Sequence, residues 1–266
     1  MVRMRPRARP DPLSFWSANR HDVAAATLVD FARMSGTAGK GYHDWPLLPA
    51  LKAFQTGVFE QRGILLTQYR DEPKLKVGAC PGLSLCWARR HASNPNESAR
   101  DRLAAMEKPE AWTEATQATG AFNSAAEGTY AGRVRVGLQL PVNGASFKCT
   151  EPAKDPTDFL NGLDPNNKYA IIMCHLGGLN INHVCAGYTT THGRIFKSKQ
   201  VLIFDPNFGE FTVELKKEPM KRFLKAWGDQ FATYIGGRTG KATELTLDTL
   251  EVIKLSDVPP ATRGRR

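Results

Sequence analysis

Three residues, in chain order Cys80, His183 and Asp205, stand in contexts suited to thiolate chemistry. A cysteine attacks as its thiolate, so a nucleophilic cysteine needs surroundings that favour the charged form. A helix N-terminus provides them through its partial positive charge and unpaired N–H groups. Around Cys80 the chain reads Val77-Gly78-Ala79-Cys80-Pro81-Gly82-Leu83-Ser84-Leu85-Cys86-Trp87-Ala88. Gly78 permits a tight turn, and Pro81 suits the first helical position, where a missing N–H costs nothing. Leu83, Cys86 and Trp87 make an apolar stripe beyond it. The pattern predicts a buried helix with Cys80 at its start and Cys86 on its core face.

A base must come from a distant part of the chain. His21, His43, His91 and His192 lie in polar or loop-like contexts, whereas His175 and His183 lie near predicted strands. His183 opens the stretch Asn182-His183-Val184-Cys185-Ala186-Gly187-Tyr188, which reads as a half-buried strand. Twenty-two positions later, Leu202-Ile203-Phe204-Asp205-Pro206-Asn207-Phe208-Gly209-Glu210 is an apolar strand ending in an acid and a turn. An aspartate there can fix the tautomer of a histidine on the neighbouring strand. Taken singly, each residue also has a plain structural role: a small buried hydrophobe for Cys80, and a turn residue for Asp205.

Metal and phosphate chemistry are less well served. Cys174-His175 and His183 to Cys185 suggest zinc, yet they fit strand periodicity and no Cys-x-x-Cys knuckle accompanies them. Gly36, Gly39 and Gly41 are not followed by the Gly-Lys-Ser/Thr ending of a phosphate loop. No metal, cofactor or nucleic acid is expected.

The elements that must position these residues divide the chain in two. Residues 1–20 are rich in Pro and Arg and read as a flexible lead-in. Helical spacing predicts helices over Asp22–Met34 and Trp45–Phe59, the Cys80 helix, and weaker ones between Arg102 and Ala126. Strands are predicted at Arg133–Leu140, Tyr169–His175, His183–Thr190, Gln200–Asp205, Glu210–Leu215 and Thr249–Leu255. Phe223, Trp227 and Phe231 repeat every four residues in a helix predicted over Pro219–Tyr234. Helices followed by an antiparallel sheet define the α+β class.

Bulk properties bound the setting. The chain has 266 residues, 41% of them hydrophobic and 23% charged, as in globular proteins. Its net charge of +10 is concentrated at the ends, in Arg3, Arg5, Arg7, Arg9, Arg263, Arg265 and Arg266, which read as solvated tails. Five cysteines, an odd number, argue for reduced thiols rather than a disulfide framework. Pro10-Asp11-Pro12 after the basic start is not a signal peptide, and no run approaches the roughly 20 apolar residues of a membrane helix. A soluble protein is expected.

The chemical segments together resemble the YopT/AvrPphB family of papain-like cysteine proteases, which bacteria use as effectors. Leu83, Ser84 and Trp87 follow Cys80 at three, four and seven positions, as in that family's nucleophile motif. His183-Val184-Cys185-Ala186 resembles its histidine strand, and Phe204-Asp205-Pro206-Asn207-Phe208-Gly209-Glu210 its acid signature. The likeness spans about residues 60 to 255. It departs in two places. The His-to-Asp interval is longer, implying a longer hairpin through Thr191–Lys199, and the segment before Cys80 lacks a clear amide for an oxyanion hole. Gln68 is the nearest upstream glutamine and lies far off in sequence, leaving the Cys80 backbone N–H as the oxyanion donor.

The resemblance implies a basic segment at 1–20, a papain-like cysteine protease domain at 21–258 and a basic tail at 259–266. In such a fold the helical part carries the nucleophile and packs on an antiparallel sheet carrying His and Asp. It implies a cysteine endopeptidase with Cys80 as nucleophile, His183 as general base and Asp205 as its orienting acid. Related cores also perform deamidation or acyl and transglutaminyl transfer, and a catalytically inactive binding module is the reading from a different class. The implied setting is secretion by a bacterium into a host cell, cytosolic or peripheral to membranes there. The implied partner is a host protein, either a membrane-associated small GTPase or a kinase, with contact to anionic membrane favoured by charge.

Overall fold

The computed structural model describes residues 46–75, 78–144, 146–163, 168–177, 181–192, 198–239 and 246–258. The lead-in 1–20, the helix expected over Asp22–Met34 and the tail 259–266 lie outside the described residues.

The chain opens with α1 (Pro49–Lys52), β1 (Gln55–Gly57) and α2 (Gln61–Gln68), then a single 3₁₀ turn at Pro73–Leu75. Four helices follow: α3 (Cys80–Ser93), α4 (Ala99–Met106), α5 (Pro109–Ser124) and α6 (Tyr130–Gly137). After β2 (Phe147–Thr150) and α7 (Thr157–Gly162) come β3 (Tyr169–Leu176), β4 (Ile181–His192), β5 (Ser198–Asp205) and β6 (Gly209–Glu214). The last two elements are α8 (Lys217–Thr239) and β7 (Leu247–Leu255).

The described strands form a seven-stranded sheet in the order β1-β6-β5-β4-β3-β7-β2, with every pairing antiparallel. Successive side chains on a strand face opposite ways, and here both faces are covered. Ile172, Cys174, Cys185, Val201 and Ile203 pack with Phe223, Trp227 and Phe231 of α8. Ile171, Met173, Val184, Ala186 and Phe204 pack with Leu83 and Trp87 of α3, alongside Trp112 and Val134. The site therefore lies in a layer of sheet held between two helical layers. The β4–β5 ladder runs out to His192↔Ser198, so the long His-to-Asp interval is taken up by extended strands.

Two expected elements are different. Helical spacing over Trp45–Phe59 gives only the short α1, because the chain then turns to pair with the sheet. Gln55 is opposite Phe211, and the Thr212 N–H donates to the Phe54 carbonyl at 2.9 Å. The alternating residues at Arg133–Leu140 belong to α6 and not to a strand. Thr129 caps that helix, its Oγ1 accepting from the Gly132 N–H at 3.1 Å. Val134 is buried and Val136 exposed, a helical rather than a two-residue pattern.

A buried polar clamp ties the helical layer to the sheet. Arg102 of α4 donates from Nε and Nη2 to the two carboxylate oxygens of Glu210 on β6, both at 2.9 Å. Trp87 Nε1 of α3 donates to Glu210 Oε2 at 2.8 Å, and the Arg102 guanidinium lies over the Trp87 ring. Thus Trp87, from the cysteine segment, and Glu210, from the aspartate segment, bond to each other. Two glycines of those segments are required by space. A Cβ on Gly82 would fall 1.9 Å from the Ala115 carbonyl oxygen, where α3 meets α5. Gly209 has φ of +103°, and a Cβ there would lie 2.2 Å from the Gly57 carbonyl oxygen. No helix among the described residues is long and apolar enough to cross a membrane.

Removing one partner of a buried, hydrogen-bonded ion pair leaves the other charge uncompensated and costs about 3–5 kcal/mol. Arg102→Met should therefore lower unfolding free energy by about that much in urea titration, and a loss under about 1 kcal/mol would contradict the clamp.

Candidate active site

Helix α3 begins at Cys80, with Ala79 as its N-cap and Gly78 just before it at φ of +104°. Its first turn is pinned from two sides. The Gly82 N–H donates to Thr119 Oγ1 of α5 at 3.1 Å, and Ser84 Oγ donates to the Val184 carbonyl of β4 at 3.0 Å. Val184 directly follows His183, so the second bond sets the start of α3 beside the start of β4. The Cys80 thiol lies near enough to His183 to help raise the imidazole pKa.

On the other side of the ring, His183 Nε2 donates to Asp205 Oδ1 at 2.9 Å. Strand register explains the approach. Ala186 is opposite Phe204, and extending the ladder by one residue sets Cys185 against Asp205. His183 then sits one diagonal step from Asp205 on the same face, within reach of a long side chain. With Nε2 committed to the carboxylate, Nδ1 is the nitrogen left for Cys80.

Asp205 is fully buried and receives two further bonds. The Asn207 N–H donates to Oδ1 at 2.7 Å, which is an Asx turn, and Trp227 Nε1 of α8 donates to Oδ2 at 2.6 Å. Asp205 is thus both a turn residue and the partner of the histidine. The Phe231 ring meets the His183 ring edge-on at 5.4 Å between centroids. Burial by itself pushes the His183 pKa down, but the Asp205 charge, its hydrogen bond and the Cys80 thiol together hold it well above the usual value.

The other candidate groups are placed differently. Cys174 is the residue of β3 opposite His183, so its neighbour His175 projects to the opposite face, where its ring lies 5.4 Å from that of Tyr130. His91 lies inside α3 rather than in a loop. It is buried, its Nδ1 is 2.9 Å from the Tyr169 hydroxyl, and burial followed by Arg102 takes its pKa down to about 4. Cys86 is buried with its thiol 3.5 Å from the Ala111 carbonyl, and burial, then Glu114, pushes its pKa well up. Burial and a hydrogen bond to Cys174 do the same for Cys185.

His183, Cys185 and Asp205 bring potential metal-ligand atoms within 4.8 Å of one another. Here the imidazole and carboxylate direct their bonding capacity at each other, and the carboxylate also takes Asn207 and Trp227.

Two contributors were not foreseen. The spacing of Trp227 marks it as buried, but not that its N–H meets a carboxylate. Gln68 ends α2 exposed, whereas Gln61 at the other end is buried beside the nucleophile segment, its Oε1 accepting from the Ala79 N–H at 3.1 Å.

No protein-family model and no curated protein matches the chain. A crystal structure of the Pseudomonas avirulence protein AvrPphB matches it with a TM-score of 0.54 at 13% identity, covering 78% of this chain and 100% of that one. A likeness at that identity establishes a shared fold of helices and antiparallel sheet.

A histidine whose folded pKa is raised stabilises the protein fully below its unfolded value, near 6.5, and that contribution is lost as pH rises through the folded value. Asp205→Asn, made in a Cys80→Ala background, should therefore cost most stability at about pH 6 and progressively less in alkaline solution. Urea titrations across that range check it. A deficit that grows with pH would contradict the ion pair.

Proposed function

We propose that this chain is a cysteine endopeptidase acting through Cys80, His183 and Asp205 on a papain-like core spanning residues 21–258. The observation that carries the reading is the His183–Asp205 hydrogen bond at 2.9 Å, with the Cys80 thiol beside that imidazole at a helix N-terminus. The sequence motifs and the fold shared with AvrPphB support it.

In this mechanism the Cys80 thiolate attacks the peptide carbonyl carbon, and the oxyanion is met by the Cys80 backbone N–H. His183, protonated, gives its proton to the leaving amine, so the C–N bond breaks and a thioester remains. The neutral imidazole then takes a proton from water, which attacks the thioester, releases the acid and restores the pair. Asp205 holds the ring orientation through both steps and stabilises its charged form. Trp227 and the Asn207 backbone N–H hold that carboxylate in place.

The biological setting follows the motif resemblance: an effector delivered by a bacterium, cutting a host protein such as a membrane-associated small GTPase or a kinase. The +10 net charge favours approach to anionic leaflets, where each well-placed cation contributes about 1 kcal/mol.

Two measurements test these proposals. Intact-mass spectrometry of host-cell proteins should show new fragments with the wild type and none with Cys80→Ala. His183→Ala should reduce the rate at least about a thousandfold, and Asp205→Asn by less. A gain of about one dalton without fragments would instead favour a deamidase, and host-protein binding that survives Cys80→Ala without mass change a binding module. Sedimentation with phosphatidylserine vesicles should be strong at low salt and weak at high salt. Salt-insensitive sedimentation would remove the electrostatic argument for membrane contact.

A further inference from the structure

We infer that Gln61 is a positioning residue that sets the Cys80 thiol against the His183–Asp205 pair. The inference rests on the catalytic reading of those three residues. Gln61 is 5% exposed, and its side-chain amide is bonded at both ends. Oε1 accepts from the Ala79 N–H at 3.1 Å, one residue before Cys80. Nε2 donates to Asn207 Oδ1 at 2.8 Å. Asn207 is the residue whose own N–H holds Asp205 Oδ1 at 2.7 Å. The Gln61 backbone N–H is anchored on the same turn, donating to the Pro206 carbonyl at 2.9 Å.

These bonds form a continuous path. It runs from Ala79, the residue before Cys80, through Gln61 and Asn207 to Asp205 and on to His183. The nucleophile arrives on a helix and the acid on a strand, joined in sequence only by more than a hundred residues. Gln61 is the side chain that links the residue just before one to the turn just after the other. Only a group that accepts and donates at once can do this, which selects an amide over a carboxylate or an aliphatic chain.

Local structure leaves the amide free for the task. Glu60, not Gln61, caps α2, its carboxylate accepting from the Arg62 N–H at 2.7 Å and the Gly63 N–H at 2.8 Å. Ala79 is the N-cap of α3, and its N–H has no partner inside that helix. The Gln61 side-chain Oε1 supplies one. Gln61 thus acts through Ala79 and Asn207, and its effect should be on alignment. A displacement of about 1 Å in such a site costs roughly a hundredfold in rate.

The test is the alkylation rate of Cys80 in the full chain, by iodoacetamide and site-resolved mass spectrometry, at about pH 6 and about pH 10. At the lower pH only a thiolate held by an imidazolium reacts quickly; at the higher pH any accessible thiol does. Gln61→Met, which keeps the length and loses both bonds, should slow the acidic rate about tenfold and leave the alkaline rate within about twofold. Asn207→Ala should do the same, and the double variant should be no slower than either single one, because one bridge is cut twice. Thermal melting of each variant identifies loss of fold.

A Gln61→Met protein with a lowered melting temperature but the wild-type acidic rate would make Gln61 a structural brace and overturn the inference. So would rate losses that simply multiply in the double variant. A wild-type Cys80 that reacts at the lower pH only as fast as free glutathione would overturn the catalytic reading, and this inference with it.

Discussion

Asp205 is a fully buried carboxylate, and such a group persists in a protein only when its oxygens are met by donors. That constraint organises the site. The three donors come from three elements: the Asn207 backbone just beyond β5, Trp227 on α8, and His183 on β4. Each bond fixes the element that supplies it. The turn after β5 is shaped by the first bond, α8 is docked on the sheet by the second, and the imidazole is aimed by the third. With its outer nitrogen held, the ring can offer its other nitrogen in one direction only, toward Cys80.

The Cys80 side obeys a parallel constraint. A helix N-terminus leaves backbone N–H groups without helical partners. In α3 they are met by Thr119 on one side and by Gln61 on the other. A second buried carboxylate, Glu210, holds the middle of the same helix through Trp87 and holds α4 through Arg102. Two acids of one sequence signature, Asp205 and Glu210, thereby serve different layers. They alternate with apolar residues along β5, the following turn and β6. The geometry of the proposed site and the packing of the helical layer are consequences of one short stretch of chain.

The parts of this arrangement legible in sequence are those fixed by local chemistry. Gly78 and Pro81 mark the start of α3, and the structure begins it at Cys80. Apolar runs ending in polar residues mark β4 and β5, and their antiparallel pairing follows from the hairpin between them. What was not legible depends on partners distant in sequence. Residues Trp45–Phe59 have helical spacing, yet β1 forms because β6 offers an edge for it to pair with. Arg133–Leu140 alternates like a strand, yet Thr129 caps it as a helix over Phe122 and its neighbours. Trp227 reads as buried from its spacing, but spacing says nothing of where an indole N–H points. Gln61 lies 18 residues before Ala79, and no local pattern connects them.

We propose that environment, not access, makes Cys80 the nucleophile, and the cysteines themselves offer the comparison. Cys80 and Cys86 lie six residues apart in the same helix at nearly equal exposure, 7% and 6%, while Cys149, Cys174 and Cys185 are at most 1% exposed. The Cys86 thiol is held neutral by burial and by Glu114, and Cys80 faces an imidazole backed by a carboxylate. The most direct measurement is site-resolved, competitive labelling of all five native cysteines with a peptide-based electrophile at neutral pH. Cys80 should be modified first, and its lead over Cys86 should disappear in His183→Ala. Equal labelling of Cys80 and Cys86 in the folded wild-type protein would contradict it.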